Sequence, residues 1–462
     1  MKLLGIDIGT SGTKALLVDD TGRILKSVHR EYPLSTPQPG WSEQNPEDWW
    51  EATQLCLAEI GEKPDAIGLT GQMHGSVFLD LRDEVIRPAL LWNDQRTAAE
   101  CAEIDSTVGA AKVREITANP PLTGFQLPKL LWIRRHEPAA YDRVKSLLLP
   151  KDFIRLKLTG ERATEVSDAS GTGIFDVPHR RWSAPMMTAL GLDGAIFPAC
   201  HESSVVSGKT ADGIPVVGGG GDQAAGAVGT GAVTPGIVSV SLGTSGVVFV
   251  SQDQPLSDPA GATHTFCHAN NRWHRMGVML SCGGGLRWYR DTFAPGRSYD
   301  ELAAEAANVP IGAEGLTFLP YLAGERCPHN DPTLRASFHG ATLAHTQAHF
   351  TRAVFEGLTF GIKDCLRAVA AVPPSELRIT GGGAKGAFWS QLLADATGIP
   401  CVTLEIDEGP AYGAALLAGV GIGRWDSVEQ ACRETIRTKH RIDPQGGDFD
   451  EAYARFRALG PV

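Results

Sequence analysis

Gly5-Ile6-Asp7-Ile8-Gly9-Thr10-Ser11-Gly12 stands near the start of the chain, and Ser239-Val240-Ser241-Leu242-Gly243-Thr244-Ser245-Gly246 repeats its pattern near the middle. Each is an apolar, strand-like run ending in Gly-Thr-Ser-Gly. Each continues into a second β-rich run, residues 14–18 and 247–250. A strand, a tight turn of small residues and a returning strand make a hairpin whose tip offers backbone N–H groups and hydroxyls. Small residues let those amides approach an anion closely, so such a tip can cradle phosphate. Gly-Thr-Ser-Gly alone is a common turn composition. Two copies in matched contexts are an internal repeat, and repeats decide folds. Two such tips could grip one polyphosphate between two lobes. The copies differ two residues before the first glycine, where one has Asp7 and the other Ser241. A carboxylate on one side alone is expected if only that side manages a metal ion.

At 462 residues the chain is too long for one ordinary core. The Gly/Pro/Thr segment before the second repeat places the boundary between residues 1–235 and 236–462. Hydrophobic residues make up 42% and charged residues 21%, the balance of a globular enzyme rather than a disordered chain. A net charge of −11 argues against non-specific nucleic-acid binding, which needs a basic footprint. Nine cysteines without a Cys-x-x-Cys pair do not make a disulfide framework and suit a reducing cytosol. Asp7 interrupts the first apolar run, so no secretory signal is expected. The longest uncharged small-residue stretch, 409–423, is shorter than the ~20 residues that span a bilayer. A cytoplasmic protein with no membrane partner is expected. Whether it forms a homodimer stays open.

Three further strand-like runs end in glycine: one before Thr70-Gly71-Gln72-Met73-His74-Gly75, one before the glycines 218–221 and Asp222, one before Gly381-Gly382-Gly383. In α/β sheets ligands gather beyond the carboxyl ends of strands. Asp222 follows four glycines and precedes a helix-like run from Gln223. Nearby N–H groups and the helix dipole should keep its carboxylate ionised, and the glycines should clear space for a ligand. A plain N-cap aspartate is the bland alternative. Asp7 can hold Mg²⁺ directly or through water, since magnesium prefers oxygen ligands. Lys14 could lie near phosphates or be a solvated strand charge. Gln72, Met73 and His74 put amide, thioether and imidazole on one loop, and Trp92 with the polar residues after it suits a sugar. His264, Cys267 and His268 lack a fourth ligand at suitable spacing and read as structural. The glycine-rich helix starts at Gly381 and Gly409 could admit a flat base, or serve close packing.

Taken together, these stretches resemble the FGGY family of carbohydrate kinases over nearly the whole chain. The resemblance is carried by Gly5 to Ser11, Trp41-Ser42-Glu43-Gln44, Gly71-Gln72-Met73-His74-Gly75, Leu91-Trp92-Asn93-Asp94, Leu149-Pro150-Lys151-Asp152, Gly220-Gly221-Asp222, Ser241 to Gly246, Leu319 to Arg326 and Gly381-Gly382-Gly383-Ala384. It implies an α/β protein of two ribonuclease-H-like (actin-like ATPase) lobes with the active site in the cleft. It implies ATP and Mg²⁺ as cofactors and a small ketose as substrate, with D-xylulose first and another ketose such as ribulose as the alternative. Asp222 then matches the catalytic base and Asp7 the acid by the metal and phosphates. Met73 and His74 match the sugar-contacting pair, joined by Gln72, Trp92 and Gln223. Thr10, Ser11, Lys14, Gly243, Thr244, Gly382 and Gly383 fall on the nucleotide side. Gln223 stands where some members have Asn, and Gln126 where a small hydroxyl residue is usual, which leaves the sugar partly open. An actin-like or chaperone-like ATPase is the rival from another class. It leaves Gln72, Met73, His74 and Trp92 without a role.

Overall fold

Apolar residues dominate Lys2–Ile8 (β1) and Gly12–Asp19 (β2), and the small residues between them allow a tight reversal. The two strands pair antiparallel, Ile8 opposite Thr13 and Asp7 opposite Lys14. Ile24–Glu31 (β3) completes the meander. Helix α1 (Pro46–Ile60) follows, started by Asn45, whose side chain accepts from the Glu47 amide at 3.3 Å. Ala66–Gly71 (β4) then lies parallel to β1, with Asp7 opposite Thr70. A mainly helical insertion leads to Val206–Lys209 (β5), Pro215–Val217 (β6) and the two-residue Gly220–Gly221 (β7), which runs straight into helix α2, Asp222–Thr230. The sheet order is β5-β6-β4-β1-β2-β3, with β7 also paired to β4. This computed structural model describes residues 1–460.

The second half repeats the plan. Ile237–Leu242 (β8) and Gly246–Gln252 (β9) form the second hairpin. Thr263–Cys267 (β10) and Trp273–Met279 (β11) extend it. Helices α3 (Gly283–Phe293) and α4 (Gln347–Val369) precede Glu376–Thr380 (β12), which lies parallel to β8 as β4 does to β1. Helix α5 (Ala387–Thr397), strand β13 (Cys401–Leu404), helix α6 (Gly409–Gly421) and strand β14 (Thr438–Ile442) finish the lobe, in the order β10-β11-β9-β8-β12-β13-β14.

Strands β1–β7 belong to the first half of the chain and β8–β14 to the second, but the helices do not keep to one half. Helix α6 crosses back and packs Leu416 and Leu417 with Leu3, Leu16 and Val18 of the first sheet. It lies so close that a Cβ on Gly413 would sit 1.8 Å from the Ala225 carbonyl, and one on Gly5 1.8 Å from that of Ala411. At these positions the small residues around Gly409 serve packing between lobes. Helix α5 likewise starts at Ala387, after a short 3-10 turn over Gly383–Lys385, rather than at the glycines themselves. All nine cysteines are unpaired. Among the described residues no helix is long and apolar enough to cross a membrane.

Candidate active site

Register alone brings three strand ends together. Asp7 lies opposite Thr70, and Gly220 lies opposite Thr70 from the other side. Asp7 at the end of β1, the Gln72-Met73-His74 loop after β4, and Asp222 after β7 therefore share one rim of the first sheet. The two carboxylates feel each other. Burial pushes the Asp7 carboxyl up to about 7, the Asp222 charge adds to this, and Lys14 pulls the other way. Burial pushes Asp222 up to about 6 against hydrogen bonds from the amide and side chain of Gln223. At Asp222 desolvation outweighs the hydrogen bonds that favour the ionised form. The group is still mainly ionised at neutral pH. Gly221, not Asp222, occupies the N-cap position, so the aspartate is not spent on capping.

The glycines before Asp222 serve a different purpose from the expected one. Gly219 is left-handed (φ 73°), and a Cβ there would meet the Leu69 carbonyl at 1.8 Å. A Cβ on Gly221 would meet Met73 Cγ at 2.8 Å. The run lets protein pack against protein and so sets Asp222 beside the Met73 loop.

His74 is left-handed too, with φ 67°. Its Nδ1 lies 2.6 Å from the Gly171 carbonyl. A carbonyl only accepts, so Nδ1 carries the proton. Burial drops the ring's pKa to about 3, so it is neutral and Nε2 presents a lone pair. Lys129, itself fully buried, donates to the His74 carbonyl at 2.8 Å and fixes the unusual backbone. Met73 is 4% exposed and packs along Gly221. Gln72 is not free to meet a ligand. Its amide donates to Gln44 Oε1 at 3.0 Å and its oxygen accepts from Thr10 Oγ1 at 3.2 Å. Trp92, an exposed aromatic, donates from Nε1 to Thr10 Oγ1 at 3.0 Å. Gln44 also donates to the Thr10 carbonyl at 2.7 Å. These polar side chains pin the first hairpin tip and leave Ser11 exposed at its end. Gln126 donates to the carbonyls of Gly75 and Leu148, both at 3.1 Å, so it braces the His74 loop from behind. Lys14 is engaged in an ion pair with Glu408, just before α6, rather than free on the strand.

The second group assembles at the carboxyl ends of β8 and β12. The Gly283 amide donates to the Gly243 carbonyl at 2.7 Å, and those of Cys282 and Gly284 donate to Thr244 O at 3.0 and 3.1 Å. The start of α3 thus buttresses the hairpin tip. Gly381 (φ 83°) lies against Leu242 and Gly243, while Thr244 and Gly382 are exposed. Among the described residues no hydrogen bond joins Gly243, Thr244, Gly382 or Gly383 directly to the Asp7–Asp222 group. Contacts between the lobes include Lys14–Glu408, the packing of α6 and the hydrogen bonds of Asn119 to Thr265.

This arrangement has relatives. The N-terminal domain of the FGGY family of carbohydrate kinases matches residues 2–229, and its C-terminal domain residues 238–422. The chain belongs to the FGGY family of carbohydrate kinases. It is 41% identical to a xylulose kinase of Klebsiella pneumoniae over 99% of both chains. It is 42% identical to that of Escherichia coli over 96% of this chain and 95% of the other. Its fold superposes on the crystal structure of a "xyloylose kinase" from Brucella ovis with a TM-score of 0.93, at 38% identity, covering 99% of this chain and 98% of that one. The fold is therefore the two-lobed, actin-like ATPase fold of this family.

A buried charge cluster in this family member went without a role in the sequence reading. Lys151 Nζ lies 2.7 Å from Asp152, 3.4 Å from Asp168 and 3.6 Å from Glu165, all fully buried. Glu165 accepts from Ser167 Oγ at 2.9 Å, and Ser167 Oγ accepts from the Gly221 amide at 3.1 Å. Arg155 donates to the carbonyls of Val217 and Gly218 at 2.8 and 2.6 Å. The cluster thus holds the glycine run before Asp222. Its signal was three charges, Lys151, Asp152 and Arg155, inside the apolar run 147–156.

Proposed function

We propose that this protein transfers the terminal phosphoryl group of ATP to the 5-hydroxyl of D-xylulose, giving D-xylulose 5-phosphate and ADP. The observation that carries the reaction type is Asp222: one carboxylate, tuned to about 6, at a strand end shared with Asp7 and the His74 loop. The sugar is supported by relatives bearing the name xylulose kinase over nearly the whole chain. The O5 oxygen bonds to the γ-phosphorus as the bond to the β,γ-bridging oxygen breaks, and the hydroxyl proton passes to the Asp222 carboxylate. Free aspartate is too weak a base to ionise the alcohol beforehand. Asp222 orients the hydroxyl and takes its proton as bonding develops, which suits a loose phosphoryl-transfer transition state. His74 Nε2 accepts from a sugar hydroxyl, and Trp92 offers the sugar an apolar face. The exposed tips at Ser11 and Thr244, with Gly382 and Gly383, receive the nucleotide.

The donor set fits Mg²⁺. Asp7 Oδ1 is buried without a hydrogen-bond partner, and its carboxyl is held unusually high, a state that a cation relieves. Asp7 would hold the ion directly or through water, with phosphate oxygens completing the shell. When bound, Mg²⁺ supplies charge neutralisation on the phosphates. The reading places the enzyme in the cytoplasm, where ATP is available. A panel of pentuloses and hexuloses assayed for ADP with ATP and Mg²⁺ tests it. D-xylulose should give the highest kcat/KM. Higher kcat/KM for ribulose would transfer the assignment to that sugar, and ADP release independent of any sugar would defeat it.

A further inference from the structure

His264 was read from sequence as structural, yet its ring lacks the partners of a structural histidine. It is 5% exposed, and neither ring nitrogen has a hydrogen-bond partner. A buried imidazole normally satisfies at least one nitrogen. Its strand, β10, belongs to the second lobe but is pinned to the first. Asn119 Nδ2 donates to the Thr265 carbonyl at 2.7 Å, and Asn119 Oδ1 accepts from the Thr265 amide at 3.2 Å. The Cys267 amide donates to Ser170 Oγ at 3.0 Å. Ser170 directly precedes Gly171, whose carbonyl accepts the hydrogen bond of His74 Nδ1–H. On a strand, residues two apart share a face, so His264 and Phe266 point the same way. The Phe266 ring lies 6.0 Å from the His74 ring and 6.1 Å from the His264 ring. Two imidazoles, one from each lobe, therefore flank one phenyl ring. Arg326, also of the second lobe, has no carboxylate within ion-pair distance among the described residues, and its charge disfavours protonation of both rings.

We propose that His264 is a sugar-binding residue supplied by the second lobe, facing the His74 side of the pocket and hydrogen-bonding a ketose hydroxyl through a ring nitrogen. This rests on the reading of the His74 loop as the sugar site. Burial drops the His264 pKa to about 4, so the ring is neutral and offers one donor and one acceptor. The sugar would then bridge the lobes, and its recognition would require both.

His264→Phe separates contact from packing, because phenyl keeps the ring beside Phe266 and removes only the polar atoms. The expected result is a native-like Tm and an unchanged KM for ATP, with kcat/KM for D-xylulose lowered about 10- to 100-fold. One deoxy-xylulose should be a poor substrate for the native enzyme and lose little further on the substitution. If His264→Phe does not fold, His264→Gln, which keeps a polar head, is measured in the same way and should raise the sugar KM. Native kcat/KM in the folded variant, or equal fractional losses with every deoxy sugar, would overturn the proposal. Failure of the native protein to phosphorylate xylulose would instead overturn the functional reading beneath it.

Discussion

Asp222 and Asp7 are two carboxylates set where burial raises both, and the consequences can be measured. The proposed mechanism requires the ionised form of Asp222, so kcat/KM for the sugar should fall about tenfold per unit as pH drops below its value of about 6. A profile flat to pH 5 would contradict the assignment. Stability should show the opposite dependence. Folding raises the Asp222 pKa above its ordinary value, so the native state binds the proton more tightly than the unfolded chain does. The ionised group therefore costs stability at pH above about 6, and that cost fades as pH falls towards the ordinary carboxylate range. Asp222→Asn, neutral throughout, should raise Tm by about 1–4 °C at neutral pH and by less near pH 4. A lower Tm at neutral pH would mean that the carboxylate serves the fold. The shared position of Asp7, Asp222 and His74 could be read from sequence because each sits at or just beyond a strand end marked by glycine. The partners of Gln72 and Lys14 could not be read, because spacing gives no sign that a side chain is already engaged by Gln44 or Glu408.

At the scale of elements, the His74 loop and the glycine run before Asp222 are held from behind. A Cβ on Gly171 would lie 2.6 Å from His74 Cε1 and 2.9 Å from Met73 Cε. Gly171→Ala should push the loop aside and lower kcat/KM for the sugar about tenfold or more, with the KM for ATP unchanged. Native kinetics would show that the loop does not touch the sugar. Lys151 compensates Asp152, Asp168 and Glu165, all fully buried. Lys151→Met leaves Asp168 and Glu165 without their cation and Asp152 with Arg155 alone, and should cost about 3–5 kcal/mol in denaturant unfolding. Unchanged stability would imply that the acids are already protonated. The hairpins and the strands after them could be read because their patterns are local. The charge cluster could not, because its members come from two segments, 151–155 and 165–168, joined only by the fold.

For the whole molecule, the repeated sheet plan was visible as the repeated Gly-Thr-Ser-Gly. The return of α6 to the first lobe was not, since nothing local marks which sheet a small-residue helix will cover. That helix makes the lobes one unit. Gly413→Ala places a methyl group against the Ala225 carbonyl, so α2 and α6 must separate. The variant should lose at least about 2–3 kcal/mol and displace Asp222, lowering kcat as well as stability. Native unfolding and turnover would show that the two helices can part freely. The central claim concerns the cleft those helices support: that Asp222 takes the proton as phosphate passes to the sugar. It is tested most directly by the single-turnover rate of D-xylulose 5-phosphate formation in native and Asp222→Asn protein, both shown to be folded and to bind ATP. The account predicts a loss of about 10²–10⁴ in rate with ATP affinity nearly unchanged. A rate within a fewfold of native would contradict it.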